Sequence, residues 1–112
     1  MEKTLNIDGK NIRFKATAGT LVRYKAEMGR EFLSDFALLA SAINTETGAV
    51  DFTKFNIELA YGIAWAMAKT ADANTPDLLT WLDGFDEFDI GIVFGELVPM
   101  MNRFMKVDAK NA

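Results

Sequence analysis

Few residues in this chain could perform chemistry. It has 112 residues with no histidine and no cysteine, which removes the usual general base, the commonest transition-metal ligand and any thiol nucleophile. The acidic run DGFDEFD begins at Asp83 and resembles a calcium loop, but an EF-hand loop starting there requires an oxygen ligand where Phe85 stands and glycine where Phe88 stands. Ser34 and Ser41 have no partner that would activate them. We therefore expect no enzymatic activity, no cofactor and no metal site.

The composition is that of one ordinary globular domain. Half of the residues are apolar, a quarter are charged, and 12 bases against 16 acids give a net charge of −4, which argues against binding to nucleic acid or to an anionic membrane. The polar start of the chain does not resemble a signal peptide. The longest mostly apolar stretch, residues 57–68, is interrupted by Glu58 and is far shorter than the ~20 residues that span a bilayer. We expect one intracellular domain over residues 1–112.

Residues 1–16 are predicted to form a β-hairpin. Leu5 and Ile7 alternate with polar residues before Asp8-Gly9, and Ile12 and Phe14 alternate with polar residues after it. Asp-Gly is a strong hairpin-turn signal because both positions tolerate a positive φ. A two-stranded hairpin alone is marginally stable in water, so its apolar face should pack on helices.

Residues 20–107 are predicted to be helical. Thr20 should cap a helix that ends at Gly29, and Thr75-Pro76-Asp77 should begin a later one with threonine at the cap. The remaining helices are expected over residues 30–43, 51–71 and 89–107, separated in part by a polar loop at 44–49. The helix over 51–71 is apolar on both sides and should be central.

The last predicted helix contains Pro99, which cannot donate a hydrogen bond to the carbonyl of Gly95. A kink or break is therefore expected between these two residues. The polar residues 108–112 should be a frayed tail. The predicted fold is α+β and mostly α, with an N-terminal β-hairpin packed on a compact bundle of about five helices.

Charge is unevenly distributed along the sequence. Residues 1–50 carry 7 bases and 6 acids (7 − 6 = +1), whereas residues 51–112 carry 5 bases and 10 acids (5 − 10 = −5). Between Thr70 and Asn102 there are seven acids and no base. The acids could simply face water, with the neighbouring aromatic residues in the core, or they could form a patch that receives a basic or amphipathic partner. A third possibility is a homo-oligomer in which the basic hairpin side of one copy meets the acidic side of the next.

Seven residues are the candidates for contact with a partner or a second copy. They combine aromatic side chains, one acid and two flexible methionines that suit an adaptable surface. Trp81 and Phe85 could equally belong to the core, and methionine at this helical spacing mostly does. These candidates are Trp81, Phe85, Asp86, Phe88, Phe94, Met100 and Met101.

Several segments, taken in order along most of the chain, together resemble one known family. They are the DGKNIRFKAT hairpin, Arg23-Tyr24-Lys25, GREFLSD at 29–35, IAWAMAKTAD at 63–72, Trp81-Leu82-Asp83-Gly84-Phe85 with the acids after it, and the helix containing Pro99. In this order they resemble the small tail assembly chaperones of phages and prophages with long, flexible, non-contractile tails, particularly those of Gram-positive bacteria. The polar end, VDAKNA, departs from the more apolar end of many relatives.

The resemblance implies a non-enzymatic role. Such proteins bind the tape-measure protein, keep it soluble and bring it to the tail-tube protein, which polymerises around it. A longer form made by translational frameshifting often accompanies the short form, which this chain would be. The resemblance also implies action in the host bacterial cytoplasm and absence from the mature virion. Two alternatives remain: a head–tail connector or tail-completion protein retained in the virion, and an acidic inhibitor that mimics DNA, for which a charge of −4 is low.

Overall fold

The computed structural model describes residues 1–44 and 46–105, which form a two-stranded antiparallel hairpin and five helices. In chain order the elements are β1 (Glu2–Ile7), β2 (Lys10–Lys15), α1 (Ala18–Met28), α2 (Phe32–Ala40), α3 (Ile57–Ala71), α4 (Leu78–Asp83) and α5 (Ile90–Met105). This arrangement confirms the predicted α+β, mostly α fold. No helix within the described residues is both long enough and apolar enough to cross a bilayer.

The hairpin closes at Asp8-Gly9, as its sequence predicts. The φ angles of Asp8 and Gly9 are 54° and 76°, so both turn residues adopt the left-handed conformation of a primed turn. Leu5 pairs with Ile12, and the apolar face that they share with Ile7 and Phe14 packs inward, where the last two are buried. Strand β2 lies against α3 and β1 against α5, which supplies the cover that an isolated hairpin lacks.

Helix α3 is the centre of the bundle, because it contacts the other four helices and β2. All residues from Gly62 to Ala68 are buried, as the apolar pattern on both sides predicts. The side chain of Met28 occupies the space beside Gly62, where a Cβ atom would lie 2.9 Å from the methionine sulfur. Glycine at this point therefore lets α1 pack closely on α3.

The start of α1 differs from the prediction. Thr17, not Thr20, is the N-cap residue, and the buried hydroxyl of Thr20 accepts the Thr17 backbone N–H at 3.1 Å. Thr20 is therefore the third helical residue, and its side chain binds the backbone N–H of the N-cap residue, as in a capping box. The predicted end is confirmed, since Gly29 has φ of 68° and donates its N–H to the Lys25 carbonyl at 2.8 Å.

Helix α2 is shorter than the predicted range 30–43. After Ser41 the chain turns, and Ile43 forms an isolated β-bridge with Val50. The side chain of Asn44 holds the intervening loop by accepting the Glu46 backbone N–H at 2.9 Å. The described residues of the predicted loop 44–49 thus confirm it, and backbone pairing across its ends replaces the last turn of the helix.

Two helix starts were placed too early in the sequence. Helix α3 begins at Ile57 rather than Asp51, because the Asn56 side chain accepts the Leu59 N–H at 3.2 Å and caps the first turn. Helix α4 is capped by Asp77, whose carboxylate accepts the Thr80 hydroxyl at 2.7 Å. In both cases a polar residue inside the expected helix forms the cap.

Helix α5 continues through Pro99, so a break at this point is wrong, whereas a kink stays a prediction. Leu97, Val98, Met100 and Met101 around the proline are all buried, and this packing holds the helix together despite one missing backbone hydrogen bond. The predicted continuation to residue 107 and the frayed tail at 108–112 lie outside the described residues.

Candidate interaction site

The acidic run after α4 carries a compact aromatic cluster. Trp81, Phe85 and Phe88 form three edge-to-face pairs with ring centroids 5.2 to 5.5 Å apart, a favourable geometry for aromatic rings. Tyr61 of α3 joins the cluster 5.1 Å from Phe88 and donates its hydroxyl to the Phe88 carbonyl at 3.1 Å. The cluster therefore fixes residues 81–88 on the surface of α3.

The hairpin tip holds the same segment from the other side. The ammonium group of Lys10 donates to the Gly84 carbonyl and lies 5.0 Å from the centre of the Phe85 ring, which is a cation–π arrangement. The Asp8 carboxylate accepts the backbone N–H of Asp86 at 3.0 Å. The segment is thus clamped between the hairpin turn and α3, although it contains little regular structure.

The charged side chains of this segment face outward, whereas its aromatic rings turn inward. Asp83, Asp86, Glu87 and Asp89 are exposed, and Phe85 and Phe88 are half-buried beneath them. We call residues 81–89 the acidic–aromatic edge. It combines exposed carboxylates with two half-buried aromatic rings, which suits contact with a basic and partly apolar segment.

The structure brings together only part of the predicted contact set. Phe85, Asp86 and Phe88 are neighbours at the acidic–aromatic edge, and Trp81 lies at its buried base, 7% exposed. Phe94, Met100 and Met101 lie in the core instead, and Phe94 and Met101 are fully buried. In this folded state Phe94 and Met101 therefore offer no surface to a partner.

The contacts of Phe94 explain why it is buried in the core. Its ring lies 5.7 Å from that of Phe36 in α2 and 5.4 Å from that of Phe55, which precedes α3. It therefore joins segments that are far apart in sequence. The spacing of apolar residues along one helix cannot reveal such partners.

The basic hairpin residues, which were predicted to meet the acidic side of a second copy, contact acceptors within their own chain. Lys3 pairs with Glu96 of α5 at 2.8 Å, Lys10 binds the acidic–aromatic edge, and Arg13 pairs with Glu2 across the hairpin at 2.7 Å. Much of the basic charge of the hairpin thus meets acceptors of the same chain. A homo-oligomer built on hairpin charge stays a prediction.

Sequence reasoning missed a set of exposed apolar side chains. They lie in a loop or on helix faces outside the predicted inward stripes, and their sequence signal is that they exceed what one helix face can bury. The most exposed are Val22, Leu38, Phe52, Leu79 and Ile92, at 55 to 70% exposure. Phe52 and Ile92 both lie near Gly91 of α5, because Gly91 precedes Ile92 and the Phe52 ring lies 3.5 Å from the position of a Gly91 Cβ.

The polar groups of the interior form structural contacts. The Asp35 carboxylate accepts bonds from Tyr24 and Arg30, and every buried side-chain polar atom of the described residues has a partner. Burial, together with the hydrogen bond to Asp35, raises the pKa of Tyr24 above its usual range. In residues 1–44 and 46–105, no three acidic side chains converge as metal ligands.

Comparisons with known proteins returned no match, whether against protein-family models, curated proteins or solved structures.

Proposed function

We propose that this protein is a non-enzymatic assembly chaperone for the tail of a phage or prophage with a long non-contractile tail. It binds the tape-measure protein, keeps it soluble and promotes its enclosure by the tail-tube protein. It acts in the cytoplasm of the host bacterium and leaves before the virion is complete. A longer frameshifted form of the same protein would share this domain.

One observation carries the proposal. The run Trp81-Leu82-Asp83-Gly84-Phe85 with its following acids gives the clearest resemblance to the tail assembly chaperones, and it coincides with the acidic–aromatic edge. The exposed residues Asp86 and Glu87 stand in the sequence between Phe85 and Phe88, whose rings are half-buried. A surface of this kind can meet basic and apolar stretches of a long helical client.

The exposed apolar side chains support the same function. A long helical client exposes apolar stripes until the tube encloses it, and a chaperone must cover them without one fixed register. Large exposed side chains such as Val22, Leu79 and Ile92 on separate helices can contribute to that cover. The net charge of −4 helps to keep a complex with an apolar client in solution.

Co-expression with a fragment of the tape-measure protein tests the proposal. The wild-type chain should move the fragment from the insoluble to the soluble fraction and co-elute with it. Asp86→Lys combined with Glu87→Lys should reduce soluble client several-fold, since like charges then face the basic segments of the client. Both side chains are exposed, so the fold should be unaffected.

A matched control is the pair Glu31→Lys and Glu46→Lys, which reverses two exposed carboxylates outside the acidic–aromatic edge. This variant has the same net charge and should keep the client soluble. Equal loss in both double variants would indicate a general charge effect and would remove the acidic–aromatic edge from the proposal. A fragment that stays insoluble with the wild-type chain would contradict the function itself.

A further inference from the structure

A groove runs along the outer side of α5 and begins near Asp89, the last residue of the acidic–aromatic edge. It encloses about 310 Å³ between this helix and the loop that follows α2. Its lining is mostly apolar or small, and includes Ile43, Gly48, Gly91, Ile92, Gly95 and Pro99. We call it the α5 groove.

The packing of the fold does not explain why residue 95, which lines this groove, is a glycine. Glycine in a helix interior is less stable than alanine, and it is usually retained where another group must approach closely. A Cβ at Gly95 would meet no atom within 4 Å, whereas one at Gly62 would meet Met28 at 2.9 Å. Nothing among the described residues requires glycine at 95, but a backbone approaching from outside would.

Two large apolar side chains stand beside the floor of the groove. Ile92 is 67% exposed and lies one turn before Gly95, and Phe52 is 60% exposed. The Phe52 ring packs edge-to-face on Phe55 with centroids 5.9 Å apart, so it is held in place while its outer face stays open. Together with Gly95 they offer apolar surface for the stripe of a helix.

The rim of the groove is acidic. Glu96 lines it, and an Asp89 carboxylate oxygen lies 3.5 Å from the position of a Gly91 Cβ. Glu96 is half-exposed and pairs with Lys3, and Asp89 is exposed while it accepts the Ile92 N–H at 3.2 Å. No lysine or arginine is among the described residues that line the groove, but the Lys3 ammonium, 2.8 Å from Glu96, offsets one of the two charges. The charge at Asp89 therefore favours a partner with a basic flank.

We propose that the α5 groove binds one α-helix of a partner protein. The helix lays an apolar stripe over Gly95, between Ile92 and Phe52, and its lysine or arginine flanks face Asp89 and Glu96. The inference rests on the proposed function for the identity of the partner as the client, although the chemistry of the groove is independent of it.

A model peptide tests this binding with the full chain. The probe is a fluorescein-labelled helix of about 18 residues with leucine and alanine on one face and lysine on the other, followed by fluorescence anisotropy. Replacing its lysines by glutamate should weaken binding about tenfold or more. Gly95→Leu fills the groove and should also weaken binding of the lysine peptide about tenfold or more.

Ala26→Leu is the matched control, because it adds a leucine at an exposed position of α1 and should leave binding unchanged. Ile92→Ser is a second variant at an exposed position; it should weaken binding even if Gly95→Leu does not fold. The inference would be overturned if both groove variants bound the lysine peptide with wild-type affinity, or if Ala26→Leu lost as much affinity as they do. It would also be overturned if the wild-type chain bound both peptides equally well or bound neither.

The client assay separates this inference from the proposed function. If the wild-type chain solubilises the tape-measure fragment while both groove variants bind the lysine peptide normally, the groove inference fails and the function stands. If both groove variants lose the peptide and Ala26→Leu keeps it, but the wild-type chain does not solubilise the fragment, the groove inference stands and the function fails.

Discussion

The hydroxyl of Tyr24 donates to the carboxylate of Asp35 across 2.7 Å, and both side chains are buried between α1 and α2. Arg30 completes the group from the surface, with its Nε and one terminal nitrogen 2.8 and 2.9 Å from the two oxygens of the same carboxylate. These bonds satisfy a buried charge that would otherwise be costly. The contact thereby fixes the angle at which α2 leaves α1 after Gly29.

Asp35→Ala should lower the free energy of unfolding by about 2 to 3 kcal/mol, because it leaves the buried Tyr24 hydroxyl without a partner. The exposed Glu31, four residues earlier, provides the control. Glu31→Ala removes only a surface pair with Lys25 and should cost less than about 1 kcal/mol. Urea unfolding followed by circular dichroism measures both, and equal losses would contradict a special role for Asp35.

The stability conferred by Asp35 should depend on pH. The Arg30 guanidinium, followed by the Tyr24 hydroxyl, holds the pKa of Asp35 below its ordinary value, against the opposing effect of burial. A lowered folded-state pKa means that the stabilisation is complete above the unfolded value of about 4 and is lost as the pH falls through the folded value. The difference in unfolding free energy between wild type and Asp35→Asn should therefore shrink below about pH 4. A difference that stays constant down to pH 2 would show that the carboxylate charge is not involved.

The contact between Lys10 and Phe85 should appear as coupling in a double-mutant cycle. Lys10→Met removes the charge above the ring, and Phe85→Leu removes the aromatic face. The two changes should be non-additive by about 0.5 to 1 kcal/mol, because each removes the same cation–π contact. Thermal unfolding of the four proteins measures this coupling, and additive effects would mean that the hairpin tip holds the acidic–aromatic edge only through its other bonds.

Two glycines in helices should respond differently to alanine. Gly95→Ala should raise the free energy of unfolding by about 0.5 to 1 kcal/mol, since the added Cβ meets no atom within 4 Å and helix propensity improves. Gly62→Ala should give no such gain, because its Cβ would press on the Met28 side chain. Chemical denaturation of the two variants tests the difference, and a destabilised Gly95→Ala protein would show that this glycine already serves the fold.

The elements of the fold follow from local sequence signals, but the first residues of its helices do not. Asp8-Gly9 and Gly29 require a positive φ, which few residues adopt, so both were predicted correctly. The starts at Thr17, Asn56 and Asp77 depend on which polar side chain reaches the next backbone N–H. Several polar residues compete for that role at each start, and tertiary packing selects among them.

The candidate site was predictable only where charge accompanied the aromatic residues. Asp86 lies between Phe85 and Phe88, and its charge kept that edge at the surface. Phe94 and Met101 have no charged neighbour at adjacent positions, and their burial depends on partners distant in sequence. Exposure of Phe52 and Ile92 depends likewise on how the loop after α2 meets α5.

Quantitative mass spectrometry on a culture that produces the encoding phage tests the proposed function most directly. The chain should be present in complexes captured on the tape-measure protein from the assembling lysate, and absent from purified mature virions. A fixed number of copies in the purified virions would identify a structural component such as a head–tail connector or tail-completion protein. That result, or tape-measure protein captured without this chain, would contradict the chaperone function.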